Sequence, residues 1–97
     1  MAIGVIFECP GVTQAQYDQA LKKLTGKQTV QTLADWNAKG LLMHVAGPIP
    51  NGWRVVDVWE SDADLMKFAD VLMPILKTLG FPDISPQIFP AHNFMKS

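Results

Sequence analysis

His44 and Asp57 are the residues whose types and placement best suit chemistry. Each stands inside a short apolar, β-prone run: His44 within LLMHVA and Asp57 within WRVVDVWE. An aspartate held mid-strand between Val55 and Trp59 is costly to bury as a lone ion, and a histidine is the least costly partner the chain offers. The carboxylate would hold one imidazole nitrogen as a donor and leave the other as a base, in a side chain that titrates near neutrality. Such a dyad suits proton abstraction or proton shuttling. The plainer expectations are a hydrogen bond that fixes strand register, or an aspartate that is hydrated or paired across a dimer.

Around this pair, Trp59, Tyr17 and Phe68 are expected to bind the ligand, and aromatic surroundings suit a flat, apolar one. Tyr17 either closes the pocket with its hydroxyl or packs in the core. His92, beside Asn93, is a further expected contact, although the prolines near it hide which way it faces. His44, Asp57 and His92 have the composition of a two-histidine, one-carboxylate iron site, but no ligand spacing accompanies them, and no metal or organic cofactor is expected. Glu8 reads as a solvated strand end. Cys9 reads as a buried thiol, because nothing local would lower its pKa. Trp36 and Trp53 read as packing residues.

The whole chain bounds these ideas. Ninety-seven residues, 48% hydrophobic and 18% charged, suit one folded domain over residues 1–97 and exclude disorder. Eight basic against nine acidic side chains, with a net charge of −1, leave no electrostatic footprint for nucleic acid or an anionic membrane. Arg54 is the only arginine, and the single cysteine cannot form an intrachain disulfide and suits a reducing compartment. No apolar run approaches the roughly 18–20 residues of a membrane span. The N-terminus lacks a basic leader and Ala2 excludes myristoylation, so a cytoplasmic protein is expected.

The elements that must position the dyad follow from punctuation and periodicity. Ala2 to Cys9 reads as a strand ending at Pro10-Gly11. Thr13 with Gln16 forms a capping box, and Tyr17, Ala20, Leu21 and Leu24 then lie on one face of a helix that Gly26 ends. Over residues 27–40, Val30, Leu33, Ala34 and Asn37 suggest a second short helix stopped by Gly40. Leu41 to Ala46 and Trp53 to Glu60 are strands joined by a Pro-, Asn- and Gly-containing turn. Ser61 caps a helix with the stripe Leu65, Phe68, Ala69, Leu72, Leu76 and Leu79, in which Pro74 should cause a kink or a division. Pro86 and Pro90 confine the last stretch to a sheet edge or to irregular extension. The order β-α-(α)-β-β-α-β is an α+β, ferredoxin-like split β-α-β with a four-stranded antiparallel sheet.

Alternation places Trp53, Val55, Asp57 and Trp59 on one face of the third strand and Arg54, Val56, Val58 and Glu60 on the other. The second strand divides into Leu42, His44 and Ala46 against Leu41, Met43 and Val45. Both sheet faces are therefore apolar, and the helices can cover only one. The other face calls for a second copy of the chain in a homodimer, or for the 27–40 segment to wrap over it. A loop of Pro50-Asn51 sets His44 opposite Asp57, with Cβ atoms about 4.5–5.5 Å apart. A loop of Asn51-Gly52 sets it opposite Trp59 and diagonal to Asp57, at about 7–8 Å.

The run Val58 to Phe68 (VWESDADLMKF) resembles the strand-to-helix junction of the dimeric α+β barrel superfamily, and most of all antibiotic biosynthesis monooxygenase-like domains. The resemblance implies two subunits packed sheet against sheet, each with a pocket between sheet and helices. Superfamily activities include cofactor-independent oxygenation of polyketide quinols, haem degradation and small isomerisations. Haem-degrading members share a strand-one asparagine, the junction tryptophan and a helical histidine; here only Trp59 matches, so haem degradation is not expected. The expected function is that of a small homodimeric enzyme acting on an aromatic or polyketide-like molecule. Its chemistry is cofactor-independent oxygenation or proton-transfer isomerisation, with His44 as base and Asp57 as its orienter. The alternative is a non-catalytic ligand-binding or stress-response barrel.

Overall fold

The computed structural model describes residues 1–28, 30–36 and 38–95. Strand β1 (Ile3–Pro10) leads to helix α1 (Gln14–Thr25), and a single 3-10 turn (Leu33–Asp35) precedes strand β2 (Leu41–Ile49). Strand β3 (Gly52–Trp59), helix α2 (Asp62–Thr78) and strand β4 (Gln87–Pro90) complete the order. The sheet is antiparallel in the order β2-β3-β1-β4. This is the expected α+β, ferredoxin-like arrangement, with both helices on one face.

The predicted caps are present. Thr13 accepts the Gln16 amide at 3.2 Å while the Gln16 side chain accepts the Thr13 amide at 3.0 Å. Ser61 Oγ accepts the Asp64 amide at 3.2 Å, with Asp62 and Asp64 in the first turn favoured by the helix dipole. Of the kink or division expected at Pro74, the division does not occur: helix α2 runs as one element from Asp62 to Thr78. Asp70 and Pro74 are both exposed, so the carbonyl that the proline leaves without an amide partner is open to water.

Among the described residues of the 27–40 segment, the 3-10 turn Leu33–Asp35 stands in place of the expected second short helix. Asp35 accounts for this: its carboxylate accepts the backbone amides of Gln31 and Thr32 at 3.0 and 3.1 Å, which competes with helical pairing. Those bonds hold its pKa down at about 2. Asn37, assigned to that helix from the sequence, lies outside the described residues.

Pro50-Asn51 form the two-residue loop of the β2–β3 hairpin, with Ile49 opposite Gly52. Proline fixes the first φ, and Asn51 takes the left-handed φ of 63° that asparagine tolerates. Gly52 lies so close to β1 that a Cβ there would stand 2.5 Å from the Cys9 carbonyl oxygen. Strand β2 thus stays paired beyond Ala46. Its register slips between Leu41 and Met43, so Leu41 lies opposite Trp59 and joins the helix-side core. Simple alternation puts Leu41 on the other face; the bulge reverses it.

The helix-facing core contains Ile3, Val5, Phe7 and Cys9 of β1 and Trp53 and Trp59 of β3, with Leu41 and Leu65 packed against them. The opposite face carries Ile6, Met43, Val45, Val56, Val58 and Phe89, with an exposed Glu8–Arg54 ion pair at 2.9 Å near one end. Phe89 lies over Gly4, where any Cβ would collide with its ring. Among the described residues of the 27–40 segment, Trp36 packs on the helix side, against His44, and not over this face. Val45 is left 57% exposed and Phe89 47% exposed.

Candidate active site

His44 and Asp57 lie directly opposite each other on the helix-facing side of the hairpin. His44 Nδ1 is 2.7 Å from Asp57 Oδ1, and Trp59 Nε1 donates to Asp57 Oδ2 at 3.3 Å. Asp57 is 4% exposed and is the one buried charged residue among those described. A buried carboxylate needs partners for both oxygens, and the imidazole and the indole supply them. With the carboxylate accepting, the neutral imidazole carries its proton on Nδ1 and leaves Nε2 as an acceptor. Tyr17, from α1, places its hydroxyl 2.5 Å from that Nε2. The result is a continuous chain, Tyr17–His44–Asp57–Trp59.

The Tyr17 pKa is pushed up to about 12, first by burial and then by the negative charges of Asp57 and Asp18. Its hydroxyl therefore stays protonated at neutral pH and donates to Nε2. Burial also raises the Cys9 pKa, which keeps it a thiol as expected.

The chain of bonds borders a cavity of about 70 Å³ between the sheet and the two helices. The sheet contributes Phe7, Cys9, His44, Trp53, Val55 and Asp57; the helices contribute Tyr17, Leu21, Leu24, Phe68, Leu72 and Leu76. Phe81 and Ile84 close it from the loop after α2, and Trp36 covers it from the segment before β2. Trp36 stacks obliquely on His44 with ring centroids 4.6 Å apart, and reaches Phe68 at 6.2 Å.

Of the residues singled out in the sequence, His44, Asp57, Tyr17 and Phe68 come together at this cavity. Trp59 does not line it. It is fully buried behind Asp57, packed 5.0 Å from the Phe68 ring, and reaches the site only through the carboxylate. His92 is exposed just beyond the edge strand β4 and does not line the cavity, so it does not complete a ligand set with His44 and Asp57. No group of three potential metal ligands occurs among the described residues. Trp36 and Trp53, read from sequence as packing residues, are instead the indoles of the cavity wall. Trp53 shares the alternation that places Asp57, so its position was readable; Trp36 sits in a segment without periodicity.

No protein-family model matches the sequence, and no curated protein matches it. Solved structures do match. SnoaB, a cofactor-independent oxygenase from Streptomyces nogalater, superposes with a TM-score of 0.63 at 12% identity, over 99% of this chain and 97% of its own. A Deinococcus radiodurans protein proposed to be an antibiotic biosynthesis monooxygenase gives 0.60 at 13% identity, over 100% and 98%. A substituted MhuD with two manganese protoporphyrin IX molecules per active site gives 0.59 at 16% identity, over 98% and 99%.

The residues here do not fit a porphyrin. His44 is the one histidine lining the cavity, and both its ring nitrogens are engaged, by Asp57 and by Tyr17. Among the described residues, no lysine or arginine lines the cavity to meet propionates. Over nearly its whole length, then, the chain carries the fold of the antibiotic biosynthesis monooxygenase-like proteins, and within it a part-buried Tyr–His–Asp–Trp chain borders the cavity.

Proposed function

We propose that this chain is a one-domain, homodimeric enzyme that acts on a small aromatic or polyketide-like molecule. The chemistry is cofactor-independent oxygenation or proton-transfer isomerisation, with His44 as the base. The observation that carries this reading is the Tyr17–His44–Asp57 chain bordering an otherwise apolar cavity. Asp57 orients the imidazole and stabilises the cation that forms when Nε2 gains a proton. Tyr17 covers Nε2, so the proton moves by relay: the substrate's proton goes to the hydroxyl oxygen as the hydroxyl proton goes to Nε2. In an isomerisation the proton returns at another carbon. In an oxygenation the carbanion reduces dioxygen, and the balance is CH₂ + O₂ → C=O + H₂O. Trp59 is a positioning residue, acting through Asp57. The second copy covers the apolar outer face around Val45, Val56 and Phe89. A reducing, cytoplasmic setting suits the lone Cys9 thiol.

One observation favours the non-catalytic alternative, in which the cavity binds a ligand without turnover: Nε2 is already satisfied by Tyr17. Deuterium exchange separates the two. The probe is 2-indanone, a flat ring ketone whose benzylic C–H bonds are acidified by its carbonyl, incubated with the protein in deuterium oxide without oxygen. The enzyme reading expects protein-dependent loss of the benzylic proton signals, slowed roughly 10²–10⁴-fold in His44→Gln. Binding of 2-indanone with no exchange above the buffer rate would favour the non-catalytic barrel.

A further inference from the structure

Trp53 is 8% exposed, and its indole Nε1 is buried with no hydrogen-bond partner among the described residues. It is the only buried side-chain polar atom so placed among those residues. Buried donors are almost always paired, so one that is not demands a partner the chain does not supply. Trp53 lines the same cavity as the dyad, and its ring lies 5.1 Å from that of Tyr17, whose hydroxyl is bonded to His44. Two other polar groups of the lining are already spent: the Tyr17 hydroxyl on His44, and the other nitrogen of His44 on Asp57. Cys9, opposite Trp53 on β1, is a buried thiol and a weak donor. Trp36, the other indole of the wall, is only half-buried and leaves no buried donor unpaired, so Trp53 carries the one buried strong donor among the described lining residues that is still unspent.

We propose that the Trp53 indole N–H is the ligand's hydrogen-bond donor, so that the cavity selects flat rings bearing a carbonyl or phenolic oxygen over the corresponding hydrocarbons. The assignment rests on reading the cavity as a ligand pocket. It makes Trp53 a specificity residue: an oxygen-bearing ring restores the bond that the indole lacks, whereas a hydrocarbon leaves the donor stranded.

The test compares 2-indanone with indane, which share a ring frame and differ in the oxygen. Dissociation constants are measured for the unaltered chain and for Trp53→Phe, which keeps an aromatic ring and removes the N–H. The expected result is that Trp53→Phe weakens 2-indanone about tenfold more than it weakens indane. Any loss from the smaller ring is common to both probes and cancels. A second measurement needs no variant. The Trp53 indole proton resonance, assigned through its contacts with the Tyr17 ring, should move downfield on adding 2-indanone and not on adding indane. Equal weakening of both probes, or an indole resonance indifferent to the ketone, overturns the assignment and leaves the pocket reading standing. Failure of 2-indanone to bind overturns the pocket reading, and the Trp53 assignment with it.

Discussion

His44 and Asp57 face each other across the β2–β3 hairpin with Nδ1 and Oδ1 2.7 Å apart, and this contact organises everything else at the site. It leaves Nε2 pointing to Tyr17 on α1, and it lets the second carboxylate oxygen accept the Trp59 indole. A sheet pair, a helix and a buried indole are thereby tied into one network, in which each member's value depends on the others.

Asp57→Asn should destabilise the fold while barely changing side-chain shape. Both neighbours of the carboxylate are donors, and an amide has one accepting oxygen, so either His44 or Trp59 must face an NH₂ group. Urea denaturation should show a loss of about 1–3 kcal/mol. An unchanged midpoint would mean that the carboxylate is not accepting from both.

Tyr17 is the only tyrosine, so tyrosinate absorbance reports it alone. Its ordinary pKa of 10.0 is raised to about 12 in the fold. The folded state thus favours the protonated phenol. That contribution is fully present below about pH 10, and is lost as pH rises through the folded value of about 12. A native titration should have its midpoint near 12, and one in denaturant near 10. A native midpoint at the denatured value would remove Tyr17 from the buried network.

Tyr17→Phe separates relay from blockage. If the hydroxyl carries the substrate's proton to Nε2, benzylic exchange of 2-indanone should fall roughly 10-fold or more, with the fold retained. Faster exchange in the variant would show that the hydroxyl only covers the base.

Val45→Glu tests the outer face. The side chain is 57% exposed in the single chain and lies on the sheet face opposite the cavity, so a charge there costs the subunit little. Sedimentation should show a dimer for the unaltered chain and a shift toward monomer for the variant. A monomer in both would remove the barrel from the proposed function.

Much of this was legible in the sequence because strand alternation is strict. Trp53, Val55, Asp57 and Trp59 had to share a face, and a two-residue loop had to bring His44 onto it. The choice between two registers needed the turn itself, where Pro50 and Asn51 take the loop and leave Gly52 to the strand. Leu41 was misplaced by alternation because a bulge carries no sequence sign. Trp36 was unreadable as a cavity residue for a related reason. Its position over His44 is set by an irregular segment that the Asp35 side chain holds, and no periodicity encodes it. Trp59 was legible in place but not in role, since only coordinates reveal that it reaches the site through Asp57 and not through the cavity.

Nitrogen-15 NMR of the His44 ring tests the central arrangement most directly. On the neutral imidazole, the account predicts a protonated Nδ1 and a bare, hydrogen-bonded Nε2, with Nε2 shifting toward an unbonded value in Tyr17→Phe. A ring protonated on Nε2, or an Nε2 resonance that ignores the loss of the Tyr17 hydroxyl, would contradict it.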